Sequence, residues 1–158
     1  MAGRLEGKVT IITGATSGIG EATAKCFAAE GAYLVISGRS VDKGEALARK
    51  LGERVLFQRA DVLHEADIAA LVDTAVNRFG RLDCLFNNAG TAASGFRVDE
   101  ITEEVFDYES KLLLGSVLFG AKHAVPLMRA SGSGSIINNA SIAGMQCGYG
   151  PHVYSAAK

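Results

Sequence analysis

Short runs of β-branched and apolar residues alternate along the whole chain with longer stretches of helical period, and no other feature restricts its folding so strongly. Strands are expected over 9–13, 33–37, 55–59, 82–87 and 135–139. Between them, helices are expected over 18–30, 42–51 and 65–79, with Gly31 and Gly80 as stop signals, and a long one lies within 102–129, bent or ended near Pro126. A last helical turn opens at 153–158. Repeated strand-helix-strand units with right-handed crossovers give a doubly wound α/β domain over 1–158, a parallel Rossmann-type sheet with strand order 3-2-1-4-5. A final helix of so few residues cannot hold itself together, so the reading expects a domain incomplete at its C-terminus.

Composition narrows the function. At 158 residues, 48% hydrophobic and 21% charged, the chain is globular, and no run of about 18 uncharged apolar residues exists to cross a bilayer. Arg4, Glu6 and Lys8 ahead of a four-residue apolar run do not make a secretory signal. Three cysteines, Cys26, Cys84 and Cys147, form no even framework and read as reduced, buried thiols of a cytoplasmic protein. A net charge of −1 without a basic run gives no footprint for nucleic acid or an anionic membrane, which leaves a small molecule as partner. His123 and His152 stand without clustered carboxylates or thiols, so no metal site is expected.

Thr13-Gly14-Ala15-Thr16-Ser17-Gly18-Ile19-Gly20 lies between the first strand and its helix. Glycines there permit a tight turn and close approach of backbone to ligand, and the free amides of a helix start hold a pyrophosphate beside Ser17, Gly18 and Ile19 without a basic side chain. Some twenty positions on, where an acidic residue selects NAD by its ribose 2′-hydroxyl, the chain has Gly38-Arg39. A guanidinium pairs with a 2′-phosphate, which points to NADP, with NAD as the alternative if Arg39 only stacks on the adenine or lies in solvent. Tyr154 and Lys158, four apart, share a helix face, and an ammonium beside a phenol eases removal of its proton.

The order Thr13-Gly14-x-x-x-Gly18-Ile19-Gly20, Asp61-Val62, Asn87-Asn88-Ala89-Gly90, Ser141 and Tyr154-x-x-x-Lys158 resembles the short-chain dehydrogenase/reductase family. The resemblance implies an oxidoreductase that interconverts an alcohol and a ketone by hydride transfer. Tyr154 would act as acid and base, Ser141 would hold the substrate oxygen, and Lys158 would assist Tyr154 and bind the nicotinamide ribose. Gly14 and Gly20 would complete the phosphate loop, Asp61 and Val62 would hold the adenine, and Asn88, Ala89 and Gly90 would pass the ribose. For Asp61 a helix-capping role is the other reading. Homodimers or homotetramers are implied for an intact chain, and Gln146, Cys147 and Tyr149 are candidates for a substrate wall. One departure stands out: relatives carry an Asn in the helix after strand four, where alignment puts Leu113, which neither donates nor accepts a hydrogen bond. With the short C-terminus, this motivates the alternative of a catalytically silent dinucleotide-binding module.

Overall fold

Apolar strands flanked by helices on both sides need a sheet buried on both faces, and the computed structural model, which describes residues 3–91 and 95–158, has one. Strands β1 (Val9–Ile12), β2 (Tyr33–Gly38), β3 (Val55–Arg59), β4 (Cys84–Asn87) and β5 (Ser135–Asn138) pair in parallel in the order β3-β2-β1-β4-β5. Ile11 stands opposite Val35 on one side and Leu85 on the other. Helices α1 (Gly18–Ala29) and α2 (Val41–Leu51) cover one face, where Ile12, Leu34, Ile36 and Phe86 pack with Ala24 and Leu47. The other face carries α3 (Glu65–Phe79) and, beyond a helix α4 (Glu103–Ser110), α5 (Ser116–Ala130), with Val9, Ile11, Val35 and Leu85 against Leu71, Val72, Ala124 and Met128. The two-residue period of the strands thus sorts alternate side chains into two cores.

The long helix expected after β4 is divided, though not at Pro126. It runs as α4, a π-helical segment Lys111–Gly115, and α5, which continues through Pro126 to Ala130. Pro126 only forfeits the amide that would have met the Lys122 carbonyl, and Ala124 and Met128 on either side are buried in the core. In the π segment the Ser116 amide reaches back to the Lys111 carbonyl, and the Ser116 hydroxyl donates to the Leu112 carbonyl at 2.6 Å, satisfying the group that the wider turn would otherwise orphan. A short α6 (His152–Ala157) ends the chain.

The thiols differ from expectation. Cys26 and Cys147 are exposed, and only Cys84, partly buried on β4, is shielded; burial pushes its thiol pKa up. Cys26 lies on the outer side of α1, where a helix can carry a small apolar residue in solvent.

At the opposite end of the sheet from the glycine loop, Asp83 fastens β1 to the start of β4. Its carboxylate accepts from the Val9 amide at 2.9 Å and from the Arg81 guanidinium at 2.5 Å, with the Lys8 ammonium 3.7 Å away. Burial raises its pKa, but the hydrogen bonds from the Val9 amide and the Arg81 guanidinium, with the charges of Arg81 and Lys8, together hold it below the ordinary Asp value. Its contribution is therefore complete above the unfolded-state value and is lost as pH falls through the lower folded value. Asp83→Asn should destabilise the chain by about 1–3 kcal/mol at neutral pH, and the gap to the unmutated chain in urea melts should close below about pH 4; a gap independent of pH would contradict this account.

Candidate active site

The carboxyl ends of β1, β2, β3, β4 and β5 open on one cleft of about 380 Å³. Its floor is set by Thr13, just beyond β1. The Thr13 hydroxyl accepts from the amides of Asn88 and Ala89, each at 3.0 Å, while the Asn88 side chain donates to the carbonyls of Thr13 and Gly14 at 3.0 and 3.3 Å. The glycine loop is thereby stitched to the chain leaving β4. A Cβ on Gly14, which has φ +64°, would lie 2.8 Å from the Ala89 Cα, so only glycine fits that crossing.

At the start of α1, Ser17 occupies the N-cap without a side-chain capping bond, so its side chain does not occupy the first-turn amides. Gly18, with φ +54° and nothing within 4 Å of where a Cβ would stand, keeps the mouth of the loop open. These features fit a pyrophosphate held by backbone alone.

Most of the sequence-selected residues meet at this cleft. Gly14, Ser17, Gly18, Ile19, Arg39, Asp61, Val62, Asn88, Ala89, Gly90, Tyr154 and Lys158 all line it. Gly20 is not on the wall: it is buried under the loop, where a Cβ would strike the Gly14 carbonyl and come within 2.6 Å of the Asn88 amide nitrogen. Its role is to let the loop close. Asp61 does not cap a helix, because His64 holds the N-cap of α3; instead its Oδ1 accepts from the Leu63 amide at 3.1 Å and its own amide donates to Asp67.

Lys158 donates to the Asn139 carbonyl at 2.6 Å, and its ammonium lies 5.8 Å from the centre of the Tyr154 ring. Asn139 in turn donates through its side chain to Asn88 Oδ1 at 3.0 Å, which links β5, β4 and the glycine loop by side-chain bonds. Ser141 begins a short turn after β5, its hydroxyl accepting from the Ala143 amide at 3.2 Å, and it lies off the cleft lining. Gln146, Cys147 and Tyr149 are exposed and also lie off it.

Several cleft residues escaped the sequence reading: Thr16, Tyr108, Leu112 and Asn139. Tyr108 and Leu112 belong to a helix without a polar motif, so no local signal marks them. Leu113 packs beneath Gly90, 3.5 Å from the position of a Cβ there, whereas Leu112, one residue earlier, lines the cleft. Both join Val62, Ile68 and the Tyr154 ring in an apolar cluster. His123 is engaged with Glu65, at 3.0 Å, beside Lys122 at 2.6 Å from the same oxygen, and hydrogen bonds from Lys122 and His123 hold the Glu65 carboxyl below its ordinary value.

Comparisons with known proteins agree with this geometry. The family model described as short chain dehydrogenase matches residues 8–158. The chain is 43% identical to tropinone reductase-like 1 of Erythroxylum coca, over 98% of this chain and 58% of that protein, and 38% identical to the mitochondrial borneol dehydrogenase of Lavandula x intermedia, over 98% and 60%. The crystal structure of levodione reductase superposes with a TM-score of 0.92 at 36% identity, covering 98% of this chain and 62% of that one. The chain thus spans about three fifths of the length of these relatives. A five-stranded sheet in this order, with a glycine loop and a Tyr-Lys pair at one cleft, together with a family match over nearly the whole length, identifies the chain as a member of the short-chain dehydrogenase family of nicotinamide-dinucleotide oxidoreductases.

Proposed function

We propose that this chain carries the cofactor half and the proton-transfer group of an NADP(H)-dependent oxidoreductase that interconverts an alcohol and a ketone. The observation that carries the reading is the placing of Tyr154 and Lys158 on the wall of the same cleft that the glycine loop and Arg39 line. A bound nicotinamide would supply the hydride. Tyr154 would give its proton to the carbonyl oxygen in reduction and take one from the alcohol in oxidation. The Lys158 ammonium, tethered to the Asn139 carbonyl, would stabilise the phenolate between these steps. Ser141, near the end of β5, would hold the substrate oxygen once it turns from the Ala143 amide. Relatives named for a tropinone reductase and a borneol dehydrogenase carry one ketone and one alcohol in their names, which supports this substrate class.

Arg39 lies at the cleft where β2 ends, and its exposed guanidinium is free to turn onto a 2′-phosphate. Asp61 and Val62 would flank the adenine, and Asn88, Ala89 and Gly90 the ribose. Exposed Phe106, Leu114, Leu118 and Val125 follow the outer side of α4 and α5, an apolar stripe that supports self-association into a dimer or tetramer. Among the described residues no helix is long and apolar enough to cross a membrane, and a cytoplasmic location is part of the proposal.

A second reading, a module that binds the dinucleotide without turnover, is favoured by one observation: Leu112 and Leu113 pack with the Tyr154 ring, where a proton relay needs polar partners.

Titration of the purified chain with NADPH and NADH, followed by fluorescence, should show NADPH binding more tightly. Arg39→Ser should weaken NADPH by about tenfold or more and leave NADH nearly unchanged; equal losses for both would remove Arg39 from the phosphate site. Tyr154→Phe should cut turnover of a ketone panel by about 10²-fold or more while NADPH affinity stays within about twofold. Binding without turnover in the unmutated chain would instead favour the silent module.

A further inference from the structure

We infer that Thr16 is a specificity-determining residue for the dinucleotide, because its side chain occupies the space that a side chain on residue 38 would need. This rests on the reading that the cleft takes NADPH.

Gly38 ends β2 at the cleft and is buried. Its backbone is not in the left-handed region, so the conformation itself admits any residue. The obstacle is steric, and the three nearest atoms all belong to Thr16. A Cβ built on Gly38 lies 2.7 Å from Thr16 Cγ2, 2.8 Å from Thr16 Oγ1 and 3.3 Å from Thr16 Cβ. Carbon atoms pack at about 3.5–4.0 Å, so these contacts are forbidden unless Thr16 moves. Thr16 has little room to move, because the preceding residue is pinned: the Ala15 amide donates to the Ser37 carbonyl at 2.8 Å, and Ala15 is fully buried. A β-branched side chain has no long arm to swing aside either.

Residue 38 is where a carboxylate would meet the two ribose hydroxyls of NADH and repel the 2′-phosphate of NADPH. In this chain an uncharged hydroxyl and methyl from the glycine loop fill that volume instead, next to Arg39. Selectivity is therefore a property of the pair 16 and 38. Arg39 attracts the phosphate, and Thr16 keeps out the group that would repel it. Installing an acid at 38 alone should not convert the preference.

The test is a double-mutant cycle on the full 158-residue chain, read by calorimetric titration with NADPH and with NADH and by the thermal unfolding midpoint. Gly38→Asp alone should lower the midpoint and weaken both nucleotides by about tenfold or more. Thr16→Gly combined with Gly38→Asp should bring the midpoint back to that of Thr16→Gly alone and favour NADH over NADPH by about tenfold or more. The inference is overturned if Gly38→Asp alone binds NADH as tightly as the double variant and melts no lower than the unmutated chain. An unmutated chain that prefers NADH overturns the NADPH reading, a different result, seen before any variant is made. A chain that binds neither nucleotide overturns both.

Discussion

The bond from Thr13 to the chain leaving β4 is the constraint on which the cleft depends. One hydroxyl accepts two consecutive amides, and one Asn side chain returns two bonds to the loop. These bonds lie across the gap between neighbouring strands, where parallel pairing has just ended and the backbone would otherwise have to find water. Because both partners are fixed, the glycine loop has no freedom to sag into the cleft. The first turn of α1 is then held open toward solvent with its amides unpartnered by the Ser17 side chain. Preorganisation of this kind removes the ordering cost from ligand binding.

From there the construction passes along the sheet edge. Asn88 also accepts from Asn139, and the Asn139 carbonyl receives the Lys158 ammonium, so the glycine loop and the Tyr-Lys pair share one polar framework. The surroundings of that framework are apolar. Leu112, Leu113, Val62 and Ala157 enclose the Tyr154 ring, which shields the Lys158 charge less from Tyr154 than water would.

The sheet order and most of the cleft were legible in the sequence, because each rests on a local pattern. Alternation of strand and helix dictates the doubly wound topology, and the landmarks at the strand ends converge once the strands are parallel. What was not legible depends on contacts distant in sequence. Gly20 carries a ligand motif yet acts by packing beneath Gly14, and Ser141 and Tyr149 follow β5 without reaching the cleft wall. Thr16 reads as a spacer between glycines until its position over Gly38 is known. The loop after Gly90 falls partly outside the described residues. Pro126 has the character of a breaker, but a single lost amide bond is outweighed by the burial of Ala124 and Met128 beside it.

The interruption that does occur, the π segment at 111–115, has a consequence for the geometry of the whole helix layer. A wider turn holds one more residue than an α-helical path of equal length, and one residue of α-helix is about 100° of rotation. That rotation is what presents Gly120 to the sheet, where even a Cβ would come within 2.5 Å of Asn87 Oδ1. It also turns Leu118 outward. Shortening the segment by one residue would leave the sequence of α5 untouched and still present the wrong side of it to β4. In this helix phase is inherited from upstream, and a local insertion or deletion acts as a rotation of everything after it.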